Sequence, residues 1–153
     1  MDEKNSVRIK NKKATFDYEI LETQEAGIEL LGHEMKSVRA KHVNLKGSYI
    51  SVQNWELWLK QMHVWVWKAL SNRDVVEVER PRKIFLPKKK IIYYGSKLKE
   101  GGYTLLALEL YFKWSLVKVR VWLAKWRKSY QKKQVLKERS IDREASKMLK
   151  RNY

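Results

Sequence analysis

The sequence predicts a mainly β fold with flanking helices: a small antiparallel barrel followed by a basic C-terminal tail. Three observations predict it. Apolar and polar residues alternate with period two over several short stretches. Helical spacing within the apolar part of the chain is confined to two segments, 33–41 and 88–100. The alternation stops at Leu123, after which Lys and Arg dominate. With 153 residues, 44% of them hydrophobic, the chain can close one modest core.

Residues 1–13 are polar and basic without a period, which predicts a flexible arm. Phe16, Tyr18 and Ile20 then share a face against Asp17 and Glu19, a strand pattern. Ala26-Gly27 interrupts it. Ile28 and Leu30 flank Glu29 in a second strand that Gly32 ends. Met35 and Val38 have i, i+3 spacing and predict a short helix over His33–Lys41. Tyr49–Gln53 and Glu56–Lys60 alternate again, with Asn54-Trp55 where a hairpin turn belongs. Asn suits the left-handed backbone there, but Trp is unusual, since Asn-Gly is favoured.

Val64 and Val66 alternate with Trp65 and Trp67 in a further strand. The polar segment 68–82 reads as a long loop, and Ile84-Phe85-Leu86 as a short apolar strand. Pro87 stands where a first helical residue belongs, and Gly101-Gly102 is the stop. Ile91, Tyr94 and Leu98 give the helix between them, 88–100, its apolar face. Leu106, Leu108, Leu110 and Phe112 share one strand face. Val117, Val119, Val121 and Leu123 share another, across a Lys113-Trp114-Ser115 turn. Residues 14–124 thus form the barrel domain. Several short strands with turn signals and few helices fit a partly open barrel of the oligonucleotide-binding type.

Residues 125–153 form the tail. Ile141, Ala145 and Met148 have helical spacing, but residues 125–134 carry little that is apolar. Such a segment is expected to be disordered when free and helical against a polyanion.

Charge narrows the function. There are 34 Lys and Arg against 17 Asp and Glu, a formal net charge of +17. Cations this dense call for an anionic partner, nucleic acid before membrane. From Lys113 onward, 14 Lys and Arg face only Glu138, Asp142 and Glu144. Residues 19–34 run the other way, with five Glu and no cation. That island is either a solvated strand face or a site accepting hydrogen bonds from base and sugar donors.

Other chemistry is poorly supported. Cysteine is absent, so disulfides, thiolate metal sites and a catalytic thiol are excluded. The absence fits a reducing compartment, and the polar start Met1–Asn5 is no signal peptide, so a cytoplasmic location is expected. His33, His42 and His63 lack ligand spacing, so no metal and no cofactor is expected. Glu25 and Glu34 as a general acid–base pair have nothing to position a substrate. No stretch is long and apolar enough to span a bilayer, and the stripe Ile141, Ala145, Met148, Leu149 is thin for a membrane surface.

The aromatics invite a stacking role in so basic a chain. Phe16, Tyr18 and Phe112 read as core. Trp58, Trp65, Trp67 and Trp122 lie opposite the apolar stripes, either exposed or facing a second buried layer. The run Lys125-Trp126-Arg127-Lys128-Ser129-Tyr130-Gln131-Lys132-Lys133 interleaves cations with two aromatics. It suits a segment that tracks a nucleic-acid backbone, or else is a solvated basic tail.

Ordered motifs now resemble one family. Asn11-Lys12-Lys13-Ala14, Asp17-Tyr18-Glu19-Ile20 and Glu25-Ala26-Gly27-Ile28 resemble the opening of small protein B, the bacterial SsrA-binding family. Glu34-Met35-Lys36-Ser37-Val38-Arg39, Ser48-Tyr49, Arg82-Lys83-Ile84 and Leu110-Tyr111-Phe112-Lys113 continue it. It reaches Lys137-Glu138-Arg139 in the tail, and so spans residues 8–140.

The resemblance implies a monomeric, non-enzymatic protein. Its barrel would grip the tRNA-like domain of transfer-messenger RNA and bring it to stalled ribosomes for trans-translation. Asn11, Lys12, Phe16, Glu25, Lys36, Arg39 and Phe85 would then form the RNA-gripping surface. Lys125, Arg127, Lys128, Lys132, Lys133, Lys137 and Arg139 would meet ribosomal RNA, and Tyr130 would stack in the decoding region. A generic single-strand RNA-binding barrel is the alternative. Four residues depart from the family pattern: Trp126 stands in place of Gly, Gln131 in place of Asp, and Trp55 and Trp114 stand at turns where Gly or Asn is usual. A Trp meets a glycine-only backbone conformation at a cost.

Overall fold

A computed structural model describes residues 7–66 and 77–151. Nine strands and four helices follow in the order β1 (Arg8–Lys10), α1 (Lys12–Asp17), β2 (Tyr18–Ile28), α2 (Gly32–Arg39), β3 (Val43–Asn44), β4 (Tyr49–Gln53), β5 (Glu56–Lys60), β6 (His63–Val64), β7 (Arg82–Phe85), α3 (Lys88–Glu100), β8 (Tyr103–Lys113), β9 (Leu116–Trp126) and α4 (Ser129–Arg151) among the described residues. Trp67 and most of the expected 68–82 loop lie outside them, as do residues 1–6 of the expected arm.

Every pairing is antiparallel, and the pairings run in a ring: β8–β4–β5–β7–β2–β9 and back to β8. The β4–β8 seam is one residue pair, Ile50 opposite Leu105, so the barrel is partly open there. β1 takes the rest of that edge, setting Arg8, Ile9 and Lys10 opposite Tyr111, Leu110 and Glu109. β3 and β6 form a separate two-stranded sheet.

Most period-two stripes point inward, but the expected Leu106, Leu108, Leu110, Phe112 face splits. A bulge between Ala107 and Glu109 puts Leu105, Ala107 and Leu110 in the core and leaves Leu106 and Leu108 on the outer side. Leu57, Leu59, Leu105, Leu110, Val119 and Val121 have no exposed surface. Each contributes about 1.5–3 kcal/mol by leaving water. Tyr94 and Ile91 of α3 and Val38 of α2 plug the same core. A smaller second layer covers the outer side of β9: Trp122 is buried there against Ala14, Leu106 and Ala124.

Several expectations change. Phe16 lies on helix α1, not on a strand, because Asn11 caps that helix: its side-chain oxygen accepts from the Ala14 N–H at 3.2 Å. The cap also ends the arm early, since residues 8–17 are already strand and helix. Ala26-Gly27 does not break the run either. β2 continues through both residues because β9 pairs along its length, from Tyr18 opposite Trp126 to Gly27 opposite Lys118. The expected 63–67 strand is only the two-residue β6.

The tryptophans at turns sit in the left-handed helical region. Asn54 and Trp55 both have positive φ, 50° and 63°, as a two-residue type I′ hairpin turn demands. Trp114 has φ 61°. Trp126 is the exception: it ends β9, paired with Tyr18, in extended backbone that needs no glycine.

A buried ion network clamps β7 to α2. Arg82 is wholly buried, and its Nε donates to Glu34 at 2.5 Å. Arg80 also donates to Glu34, through Nε at 3.2 Å. The Leu31 N–H bonds the same carboxylate at 2.9 Å. Arg82 further donates to the carbonyls of Met62 and Val78 at 2.9 and 3.1 Å. Burial pushes the Glu34 carboxyl up, but its donors outweigh that and hold it below the usual range.

Candidate nucleic-acid interface

The outer face of β1, β8, β9 and β2 is polar because the alternation that buries Leu110, Val119 and Val121 turns their neighbours outward. Register aligns Glu25 with Arg120, and Arg120 with Glu109. It likewise aligns Gly27 with Lys118, and Lys118 with Tyr111. Glu25 accepts from the Tyr111 hydroxyl on one oxygen and from Lys113 at 3.3 Å on the other. Glu109 accepts from Arg8 at 3.3 Å and Arg120 at 3.1 Å. The same two guanidiniums lie 5.3 and 5.6 Å from the centre of the Tyr111 ring.

The Tyr111 hydroxyl, then Lys113, holds the Glu25 carboxyl below its ordinary value against a smaller effect of burial. Burial first, then the bond to Glu25, pushes Tyr111 up to about 12. Glu25 is therefore a fixed, ionised acceptor within a field of cations. Its side chain keeps about a third of its surface open, leaving lone pairs for an incoming donor. A 2′-hydroxyl or base amine meets that chemistry, and flanking cations suit phosphates.

The other expected grip residues are dispersed. Phe85 is half exposed on β7 opposite Gly27, where a Cβ on Gly27 would come within 3.6 Å of it. That puts Phe85 on the Glu25 face of the sheet. Arg39 is exposed and stacks over Phe112 at 5.1 Å, and Lys36 is exposed one turn earlier on α2. Lys12 is exposed on α1, and Phe16 is half buried there. Asn11 is buried, its amide donating to the carbonyls of Leu45 and Ala107 at 3.2 Å each. Its contribution is to hold α1 in place.

Glu25 and Glu34 do not share a site, for their partners are wholly different. The acidic island is likewise divided. Glu22 accepts from the Tyr93 hydroxyl at 2.7 Å, Glu34 is internal, and Glu29 is exposed. Sequence reasoning missed Arg8, Lys10, Glu109 and Tyr111 as members of the face. The signal was present in Lys118 and Arg120, which alternate with the buried valines, but the partner strands needed the register. Among the tryptophans, Trp122 belongs to the buried second layer, whereas Trp65 is exposed with its ring edge-on to His63 at 4.6 Å.

The tail is a 23-residue helix, α4, with no buried residue. Lys128, Lys133, Lys137 and Tyr130 are exposed. Lys125 lies 4.6 Å from the centre of the Tyr103 ring, and Arg127 Nε donates to the Tyr18 carbonyl at 3.2 Å. Lys132 reaches Asp17 at 3.5 Å, and Arg139 lies over Phe16 at 5.9 Å. Gln131 accepts from the Lys128 N–H at 2.9 Å and so caps the helix start. Among the described residues no helix is long and apolar enough to cross a membrane.

A basic, oligonucleotide-binding-like barrel with an ionised acceptor on its outer face and a cationic helix at its end defines a nucleic-acid-binding class. The comparisons make the class particular. The model of the SmpB protein family matches residues 8–151, and the chain belongs to that family. It is 43% identical over 143 residues to the SsrA-binding protein of Carboxydothermus hydrogenoformans, covering 94% of this chain and 95% of that one. It is 41% identical over 143 residues to the SsrA-binding protein of Staphylococcus aureus strain Newman, covering 94% and 92%. A solved chain described as "tmRNA-SmpB: a journey to the center of the bacterial ribosome" is 36% identical with a TM-score of 0.68, over 80% of this chain and 86% of that one.

Proposed function

We propose that this protein binds the tRNA-like domain of transfer-messenger RNA and delivers it to stalled ribosomes for trans-translation, working as a monomer in the cytoplasm. It acts by binding, without a reaction of its own. The observation that carries the reading is the Glu25 face. A protein that merely coated RNA would gain nothing from an ionised carboxylate fixed by Tyr111 and Lys113 amid cations. Reading the shape of a folded RNA does need such an acceptor, flanked by Arg8, Lys10, Lys118 and Arg120.

In this reading Glu25 and Phe85 meet the RNA on one side of the barrel, and Lys36 and Arg39 extend the contact across α2. Lys12 and Phe16 contribute from α1, and Asn11 positions that helix from beneath. The tail cations Lys125, Arg127, Lys128, Lys132, Lys133, Lys137 and Arg139 engage ribosomal RNA, and Tyr130, with an open ring, stacks on a base. The test is a competition assay near physiological salt. A tRNA-like RNA with an intact elbow is expected to outcompete a scrambled RNA of equal length. Equal competition would leave only a generic single-strand binder.

A further inference from the structure

We propose that the α1 face of the barrel is a docking surface for the chain's own tail, and that Trp126 and Lys132 form its latch. The exposure pattern of α4 supplies the first argument. Its half-covered residues are Gln131, Lys132 and Val135, while its other described residues are exposed. With Arg139, which lies over Phe16, they fall at i, i+1, i+4 and i+8, which is one stripe of a helix. That stripe faces α1. In the outer half of the helix, from Ser140 to Arg151, every residue is exposed.

The contacts along the stripe are specific. The Lys132 ammonium sits 3.7 Å from the centre of the Trp126 ring and 3.5 Å from an Asp17 oxygen. Both side chains of that ion pair are mostly covered, Lys132 at 22% exposed and Asp17 at 14%. Trp126 is itself braced edge-to-face on Tyr18, with ring centres 5.0 Å apart. Arg127 pins the connection from the other side, its N–H donating to the Asp17 carbonyl at 2.8 Å and its Nε to that of Tyr18. A cation held between a carboxylate and an indole face is held by two interactions of the same sign. The indole contact is lost if residue 126 has no ring, which leaves Lys132 with Asp17 alone.

The latch has two states because no residue of the helix is fully buried in the contact. In the closed state, α4 covers Phe16 and Asp17 and is directed by Trp126. In the open state, Lys132 and Arg139 are free cations. Salt shifts the balance toward opening, because the pair keeps some contact with solvent and is partly screened. A phosphate competes for Lys132 as Asp17 does, so an RNA backbone is an opener. That last step rests on the proposed function; the latch itself does not.

The chain has no cysteine, so a single nitroxide can be placed through Ser140→Cys, one residue beyond Arg139. At low salt, the label is expected to broaden the Phe16 and Asp17 amide signals, and Lys132 side-chain protons are expected to shift upfield under the Trp126 ring. Lys132→Gln should lose both effects, while Lys132→Arg should retain the broadening. The two replacements sit on the helix, away from the core, so folding is not at stake. Trp126→Leu should abolish the upfield shift and reduce the broadening by less than Lys132→Gln does, because the Asp17 pair remains, with the β8–β9 amides as the check that the barrel is intact. Broadening that is absent from the labelled Ser140→Cys chain, or unchanged when Lys132→Gln is added and up to about 1 M salt, where the Debye length is about 3 Å, overturns the latch. Because no RNA is present, a failed RNA assay leaves this result untouched.

Discussion

The face around Glu25 and the tail helix carry charge from one strongly basic composition and use it in opposite ways. On the barrel, Glu25 and Glu109 are netted by Lys113, Arg8 and Arg120, at distances between 3.1 and 3.3 Å. Register fixes every member of that net. At the start of α4 and along it, Lys128, Lys133 and Lys137 have no register, since the helix has no buried residue. In the proposed function, arrangement would give the first region shape selectivity, and bare cations would give the second strength that fades with salt.

The comparison breaks most sharply at the clamp beneath the barrel face. Glu34→Ala leaves Arg82 buried without its carboxylate and is expected to cost about 3–5 kcal/mol in urea unfolding. No single tail substitution should approach that. Truncation after Lys128 is expected to change stability by less than about 1 kcal/mol, the range of exposed ion pairs. The same truncation should flatten the salt dependence of RNA binding, by about 0.7 in slope for each lost phosphate contact to single-stranded RNA. An unchanged slope would mean that the tail cations do not touch RNA.

Next comes Glu25→Gln. It is expected to weaken binding of a tRNA-like RNA by roughly tenfold, about the value of one hydrogen bond to a charged group, even though it removes a negative charge. Tighter binding in a filter assay would make Glu25 merely a solvated residue. The pH dependence follows from sign. Glu25 and Glu34 both lie below their ordinary carboxyl value of 4.5 when folded. Their stabilisation is complete above that value and is lost as pH falls through the folded ones. Melting curves should therefore show a weaker acid-side loss in Glu25→Gln than in the parent. Tyr111 runs the other way: raised to about 12, it favours folding at neutral pH, and the benefit goes as pH rises past 10 toward that value. Ultraviolet titration against Tyr111→Phe reads it directly.

The smallest effect is at Trp114, nearly fully exposed with φ 61°. Trp114→Asn is expected to raise the melting temperature by roughly 2 °C, because Asn tolerates the left-handed region better.

The legible parts of this molecule are those where local pattern and global fold agree. The hairpin Tyr49–Gln53 with Glu56–Lys60 and the helix 88–100 match the observed bounds, since each is set by near neighbours and a turn or cap. Phe16 was misread because its alternation with Tyr18 mimics a strand, while the deciding event is the Asn11 cap. β2 looked broken at Gly27 because its continuity comes from β9, about ninety residues away. Glu25 was found through resemblance, but its partners Tyr111 and Lys113 needed the β8–β9–β2 register. Arg82 looked like part of a polar loop, and nothing in its neighbours announces that Glu34 awaits it in the interior.

One edge of β8 has a lasting consequence. β9 occupies its other side throughout, but this edge is shared between β1 at Glu109–Tyr111 and β4 at Leu105 alone. Asn11 stitches the interval, its N–H reaching the Leu108 carbonyl at 2.7 Å and its amide that of Ala107 at 3.2 Å. Residues 8–11 thus act as a shutter over an otherwise bare row of acceptors. Clipped by a protease near Lys10, the chain would offer that row to its neighbours, and copies would begin to self-associate strand upon strand.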